Sequence, residues 1–212
     1  MNMSELADFA TLRATYRNDG VVFIPAALNE NALRLAEACF YWTLENPGPG
    51  AGAVLHGTPG TFYQDQANPD AFPAYRELLC DTAVADIAAG LFDCDNVWLM
   101  YEQIWLKEGA DTRRTPWHQD LPYLPAEGDD LAVLWTSLDA VDKAHSLEFV
   151  KGSHRGPLYN PSAFNLQDTS ANLFDADTWP ALPDVDAAPH QFPILSWAIE
   201  PGDVVVFHPA TL

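Results

Sequence analysis

The chain changes character near residue 95, and this division constrains its fold more than any other feature. Before it, apolar residues recur at helical spacing around a β-branched run at Val21–Ile24, which predicts helices at about 4–18, 29–45 and 73–92. After it, apolar residues gather in short runs typical of strands, at 97–107, 131–138, 146–149, 194–199 and 204–207. Helices followed by strands predict an α+β fold in which helices cover a β-sandwich or barrel.

Two long segments without periodicity separate these elements. Residues 47–73 are rich in Gly, Pro, Asn and Asp, and residues 159–191 carry a set of aspartates, namely Asp168, Asp175, Asp177, Asp184 and Asp186. Long loops in compact domains often cover functional sites. We therefore predict two covering loops.

The charge balance restricts the partners. Thirty acidic and ten basic residues give a net charge of −20 over 212 residues, which repels phosphate backbones and anionic membrane surfaces. No targeting segment is visible, and no apolar run approaches the roughly 18 residues that span a bilayer. The three cysteines, Cys39, Cys80 and Cys94, are widely spaced and are expected to be buried thiols. We expect a cytoplasmic monomer or homodimer with a small-molecule substrate, and neither nucleic acid nor membrane as a partner.

The pair His118-x-Asp120 is the first candidate for chemistry. On an extended strand, alternate side chains share one face, so both groups would point the same way. An imidazole and a carboxylate are two of the three ligands in the facial triad that holds Fe(II) with open positions. Six histidines and thirty acidic residues predict about one such match by chance, so the pair needs its context.

That context resembles the phytanoyl-CoA dioxygenase family. The resemblance rests on QIWLKE at Gln103–Glu108, PWHQDLPY at 116–123, LWTSLD at 134–139, SLEFVKGSHR at 146–155, and the turn PGD at 201–203 with its following strand. It implies a double-stranded β-helix (jelly roll, cupin-like) that uses Fe(II), 2-oxoglutarate and O2 to hydroxylate an unactivated carbon, with succinate and CO2 as co-products. We expect one oxygenase domain over 1–212, with a helical part at about 1–95 and a jelly-roll core at about 96–212.

By position, the resemblance makes His118 and Asp120 the first two iron ligands. It places Gln103, Lys107 and Trp135 around 2-oxoglutarate. Similar sequences carry the third ligand five residues beyond His208, so the core is expected to be incomplete at its C-terminus and this chain to have little or no activity. His208 itself is expected near the site mouth. Of the other histidines, His154 is expected in a turn, and surface positions are expected for His56, His145 and His190.

Two alternatives remain open. The chain could be a jelly-roll small-molecule-binding protein that lacks a complete iron site, or an iron halogenase, although halogenases replace the carboxylate that Asp120 supplies here. Few basic residues favour a small uncharged or zwitterionic metabolite over a coenzyme A thioester. The tryptophans near the motif are expected in the core or the pocket wall, namely Trp98, Trp105, Trp117 and Trp135.

Overall fold

The computed structural model describes residues 9–53, 61–109, 114–162, 172–175 and 179–212. Its helices within these ranges are α1 Phe9–Asp19, α2 Glu30–Glu45, α3 Phe72–Cys80 and α4 Ala83–Phe92. Its strands are β1 Val21–Ile24, β2 Gly52–Ala53, β3 Thr61–Gln66, β4 Gln103–Glu108, β5 Val133–Trp135, β6 Phe149–Val150, β7 Ile194–Leu195 and β8 Val204–Phe207.

The central sheet has the order β1-β8-β5, and all of its pairings are antiparallel. Because side chains alternate across a strand, Val204 and Val206 pack towards the helices, in one cluster with Leu12, Ile87 and Leu91. Val205 points the other way and packs with Phe149 of β6. The central sheet is therefore covered by helices on one face and by the β6–β7 pair on the other.

A second sheet of order β2-β3-β4 takes two of its strands, β2 and β3, from the segment 47–73, which the sequence predicted to be a loop. Strand β3 reads Thr-Phe-Tyr-Gln-Asp-Gln and has too few apolar residues to show a strand pattern. It is nevertheless paired along its whole length, from Thr61↔Glu108 to Gln66↔Gln103. The loop prediction was wrong here because the partner strand, rather than local composition, stabilises β3.

The local predictions succeeded where capping and β-branched signals were strong. Strands β1 and β8 match the predicted runs, and α2 begins after Asn29, whose side chain accepts the Ala32 N–H at 2.9 Å. The predicted helix at 73–92 is two helices, because Thr82 caps α4 by accepting from Val84 N–H. The predicted first helix is confirmed from Phe9 onward, and its start at residues 4–8 lies outside the described residues.

Four of the later predicted strands are shorter than expected. The run 97–107 forms strand only from Gln103, and the runs 131–138 and 146–149 narrow to β5 and β6. The run 194–199 narrows to β7, with Ile199 paired to Val141 as an isolated bridge. The residues outside the strands have irregular backbone, and apolar composition alone does not distinguish such backbone from a strand.

Exposure corrects two further expectations. Cys39 is buried, and burial raises the pKa of its thiol to about 11, but Cys80 and Cys94 are exposed at the ends of α3 and α4. Trp98 is 85% exposed and belongs neither to the core nor to a pocket wall. Within the described part of the chain, none of the helices combines the length and apolar character needed to cross a membrane.

Candidate functional site

The structure brings His118 and Asp120 together. His118 Nε2 lies 3.1 Å from Asp120 Oδ1, and both side chains are half-buried. Burial alone would lower the pKa of His118, but the hydrogen bond and charge of Asp120 and the Pro116 carbonyl raise it above its ordinary value. The two groups thus form one electrostatic unit.

The segment that carries them is not the regular strand that the sequence predicted. Residues 114–119 are irregular, and Asp120 has helical backbone angles (φ −75°, ψ −34°) at the start of a 3-10 turn, Leu121–Tyr123. Pro116 and Pro122 flank the pair and cannot donate to a strand ladder. The two side chains therefore converge because the backbone bends, not because they alternate on a strand.

The hydrogen bond on the far side of the imidazole defines its tautomer. His118 Nδ1 lies 2.8 Å from the Pro116 carbonyl oxygen, which can only accept, so Nδ1 carries a proton and donates it. The Nε2 position then faces the carboxylate oxygen, and a cation, either a proton or a metal ion, must lie between them. Two ligand atoms at adjacent positions of an octahedral metal, with bonds of about 2.1 Å, lie about 3.0 Å apart. The spacing and the tautomer both fit a metal ion.

Tyr123 packs against this pair, and Asp120 influences a second tyrosine, Tyr101; the sequence had not assigned either a role. The ring of Tyr123 meets the His118 ring edge-to-face at 6.3 Å between centroids, and its hydroxyl donates to Ser162 O at 2.8 Å. Burial, and then the charge of Asp120, raises the pKa of both Tyr101 and Tyr123. Tyr123 is the last residue of the segment PWHQDLPY at 116–123, which carries part of the family resemblance, whereas no sequence motif includes Tyr101.

Gln119, between the two ligands, is the main structural residue that the sequence did not identify. It is 2% exposed, and its Nε2 donates to Ala210 O at 2.7 Å and to Pro157 O at 3.3 Å. Its Oε1 accepts from Tyr159 N–H at 2.8 Å. Nothing local in the sequence marks this role, because the three hydrogen-bond partners lie 38 to 91 residues away along the chain.

The end of the acidic segment 159–191 contacts residues 114–117, which lie just before His118. Arg114 forms ion pairs with Glu148 and, at 3.5 Å, with Asp186, and its guanidinium lies 5.5 Å from the Trp117 ring. The Trp117 indole N–H donates to Asp186 at 3.0 Å. The covering role predicted for the loop at 159–191 is thus supported at Asp186, whereas Asp168 and Asp177 lie outside the described residues.

The three residues expected around 2-oxoglutarate are spread over two sheets. Lys107 Nζ donates to Thr115 Oγ1 at 3.0 Å, three residues before His118, and lies over the Phe62 ring at 4.2 Å; burial lowers its pKa. Gln103 is exposed at the start of β4. Trp135 lies on β5 and packs in the cluster that contains Val205.

His208 has a structural role. Its Nδ1 accepts from Ala210 N–H at 3.1 Å, so its Nε2 carries the proton and donates to Gly128 O at 3.0 Å. Both ring nitrogens are engaged, and burial lowers the pKa of the ring. His208 has no lone pair left for a metal in this arrangement.

The remaining histidines occupy the positions expected of them where they are described. His154 lies in the 3-10 turn Ser153–Arg155 and donates to Arg17 O at 3.1 Å, while His145 and His190 are exposed. His56 lies outside the described residues. Within the described residues, no group of three or more His, Cys, Asp or Glu side chains could hold a metal ion. In that part of the chain, the candidate metal site therefore consists of the His118–Asp120 pair.

The family model described as "Phytanoyl-CoA dioxygenase (PhyH)" matches residues 16–212. The chain belongs to the phytanoyl-CoA dioxygenase family. The Fe(II), 2-oxoglutarate and O2 predicted from the sequence are the cofactors of this family. A probable phytanoyl-CoA dioxygenase of Caenorhabditis elegans is 32% identical over 103 residues, which are 48% of this chain and 30% of that protein. The match thus covers less than a third of the length of that relative.

Solved structures show the same fold. The non-heme alpha-ketoglutarate-dependent carbocyclase SnoK from nogalamycin biosynthesis matches with a TM-score of 0.70 at 23% identity, covering 98% of this chain and 76% of SnoK. The epimerase SnoN, solved in complex with Fe3+, alpha-ketoglutarate and nogalamycin RO, matches with a TM-score of 0.63 at 21% identity, covering 96% and 75%. This chain therefore has the mixed α/β fold of non-heme oxygenases.

Proposed function

We propose that this chain forms the oxygenase domain of an Fe(II)- and 2-oxoglutarate-dependent dioxygenase with a double-stranded β-helix core. The reaction would hydroxylate an unactivated carbon of a small organic metabolite, with succinate and CO2 as co-products. The observation that carries the proposal is the 3.1 Å approach of His118 Nε2 to Asp120 Oδ1, with the far nitrogen of the imidazole held by a carbonyl. When bound, iron and its cosubstrate supply oxidising chemistry that protein side chains lack.

The chain's own residues have distinct tasks in this proposal. His118 and Asp120 would bind the metal, and the Pro116 carbonyl keeps the imidazole in the tautomer that a metal needs. Gln119 fixes the backbone between the two ligands from inside the protein. Tyr123, packed on His118 and bonded to Ser162, restricts the rotation of the ligand ring.

Lys107 is the residue we propose to bind 2-oxoglutarate. It offers an ammonium group next to the segment that carries His118 and Asp120, through its contact with Thr115, and an ammonium group attracts a carboxylate. Gln103 and Trp135 would line the same pocket from β4 and β5. The fold supports this only in part, since Trp135 packs in the core of the central sheet.

The substrate is proposed to be small and uncharged or zwitterionic. A coenzyme A thioester carries several phosphates, and a chain with a net charge of −20 disfavours them. We also propose a cytoplasmic monomer or homodimer.

Succinate formation from 2-oxoglutarate tests the proposal. It should be measured with and without Fe(II), in the 212-residue chain and in the protein of the whole reading frame if that is longer. His118→Ala and Asp120→Ala should each lower Fe(II) affinity and abolish Fe(II)-dependent succinate formation. The matched control is His145→Ala, because this exposed histidine lies outside the site.

The same assay separates the alternatives. Because the described residues contain no cluster of three ligand side chains, we expect the 212-residue chain to bind Fe(II) weakly and to form succinate slowly. Succinate formation that is unaffected by either ligand variant would refute the assignment. Metal binding without any 2-oxoglutarate consumption, in the whole protein as well, would favour the small-molecule-binding protein.

A further inference from the structure

One face of the β3–β4 pair carries an unusual set of side chains. The register places Phe62 opposite Lys107, Gln64 opposite Trp105, and Gln66 opposite Gln103, and directly opposed residues share a face. We call these six residues the amide face: Phe62, Gln64, Gln66, Gln103, Trp105 and Lys107. The alternate positions Asp65 and Ile104 are buried on the reverse side.

The amide face is open. Trp105 is 40% exposed and rests on the buried Phe62 ring, at 5.4 Å between centroids. The row formed by Gln64 and Trp105 continues into β2 at Gly52, where an added Cβ would meet none of the described residues within 4 Å. A flat aromatic surface beside empty space is what a ring-shaped ligand requires.

Its carboxamides are unused. Among the described residues, the side chains of Gln64, Gln66 and Gln103 have no hydrogen-bond, ion-pair or electrostatic partner. Each carboxamide offers two N–H donors and one oxygen acceptor. Three such groups on one small surface therefore present both donors and acceptors to a ligand.

The amide face adjoins the segment that carries the candidate metal ligands. Lys107 Nζ, on this face, donates to Thr115 Oγ1 at 3.0 Å, and Thr115 lies three residues before His118. Gln103 and Trp105 occupy the same alternate positions of β4 as Lys107. A molecule bound on the amide face would therefore lie next to the segment that carries His118 and Asp120.

The chemistry of the face selects a class of substrate. A hydrocarbon chain would cover the carboxamides without giving them partners, which is unfavourable. The only cation on the face, Lys107, is already bonded to Thr115 and is the proposed partner of 2-oxoglutarate. Hydroxyl groups, in contrast, both donate to and accept from carboxamides, and the carbon skeleton of a ring packs on an indole.

We propose that the amide face binds an uncharged, hydroxyl-rich substrate, such as a polyol or a sugar-bearing metabolite, stacked on Trp105 and bonded to Gln64 and Gln66, beside Gln103 and Lys107, which are proposed to line the 2-oxoglutarate pocket. This assignment rests on the proposed oxygenase function, because it supplies the substrate class for that site.

Protein NMR on the metal-free chain tests the assignment. The side-chain amide signals of the glutamines and the indole signal of Trp105 are followed while methyl α-D-glucopyranoside or myo-inositol is added, and in parallel with octanoate and glycine betaine. The two polyols should shift these signals saturably, and Gln66→Leu or Trp105→Ala should weaken their binding roughly tenfold. Gln191→Leu, at an exposed glutamine far along the chain, is the matched control and should leave binding unchanged.

The outcomes separate this assignment from the oxygenase proposal. Shifts with octanoate or betaine but not with the polyols, or no shift with any of the four probes, would overturn the assignment. Polyol binding that Gln66→Leu and Trp105→Ala leave intact would also overturn it. Fe(II)-dependent succinate formation is measured on the protein of the whole reading frame, because the 212-residue chain is expected to form succinate slowly. Turnover by that protein without polyol binding rejects the substrate class alone, and polyol binding without turnover by that protein rejects the oxygenase alone.

Discussion

Gln119→Leu should destabilise the protein by removing three hydrogen bonds from one buried position. The amide donates to Ala210 O and Pro157 O and accepts from Tyr159 N–H, and the side chain is 2% exposed. Leucine fills a similar volume, so the loss is mainly polar. It leaves two carbonyls and one N–H in the interior without this partner.

Each hydrogen bond lost in this way costs about 1 kcal/mol, so the three together cost about 3 kcal/mol in free energy of unfolding. For a chain of this size, that corresponds to a fall of about 6–12 °C in melting temperature. In urea it corresponds to a midpoint lower by about 1 M, with an m-value near 3 kcal/mol/M. Urea denaturation monitored by tryptophan fluorescence measures the midpoint and the m-value.

The control is Gln191→Leu, which changes the same residue type at an exposed position and should shift the midpoint by less than about 0.2 M. A loss below about 0.5 kcal/mol in Gln119→Leu would show that Gln119 does not tie these segments together. Fe(II) affinity should fall in Gln119→Leu and remain unchanged in the control, because the ligands on either side of Gln119 lose their internal support.

Three further predictions address other parts of the molecule. Gly20→Ala should lower the free energy of unfolding by at least about 2 kcal/mol, because Gly20 has φ +80° and an added Cβ would lie 2.4 Å from His154 Nδ1. Gly52→Ala, where an added Cβ meets none of the described residues within 4 Å, should leave that free energy nearly unchanged in the same urea denaturation assay. Burial lowers the pKa of His208, so the folded state binds a proton there less readily than the unfolded state. The contribution of His208 to stability is therefore complete above about pH 6.5 and is lost as the pH falls below that value. His208→Gln should flatten the dependence of the urea midpoint on pH between about 8 and 5. Lys107→Met should raise the KM for 2-oxoglutarate at least about tenfold while leaving Fe(II) affinity unchanged, and an unaltered KM would exclude Lys107 from the cosubstrate pocket.

Local signals account for the parts of the fold that the sequence predicted correctly. The side chain of Asn29 caps α2 through the N–H of Ala32, only three residues further along the chain. The apolar run of β8 is recognisable as a strand from its own residues. Strand β3 has no such signal, since its Gln and Asp residues are typical of loops and only its pairing with β4 makes it a strand. The predicted helix over 73–92 missed Thr82 because a single capping threonine is weak against an otherwise apolar pattern.

For the candidate site, the sequence predicted the His118–Asp120 pair that the structure brings together, but not the residues that position it. The pair could be singled out because family context made a common motif specific. Gln119 bonds to Ala210, 91 residues further along the chain, and no local pattern reports a contact of that range. Tyr101 was missed for the same reason, since its relation to Asp120 exists only in the folded chain.

The bend at Asp120 explains why these distant contacts matter for the ligand pair. On a regular strand, residues two apart are separated by about 6.6 Å and their side chains run parallel, so an imidazole and a carboxylate would not meet. The helical backbone angles of Asp120 turn its carboxylate back to His118 Nε2, at 3.1 Å. The bend also removes the segment from any strand ladder, and Gln119 supplies the missing bonds through its side chain, to Ala210 on one side and Tyr159 on the other. The position of the ligand pair is therefore set by two backbone segments distant in sequence, and substitutions that shift 157–159 or 210 should change metal affinity without touching a ligand.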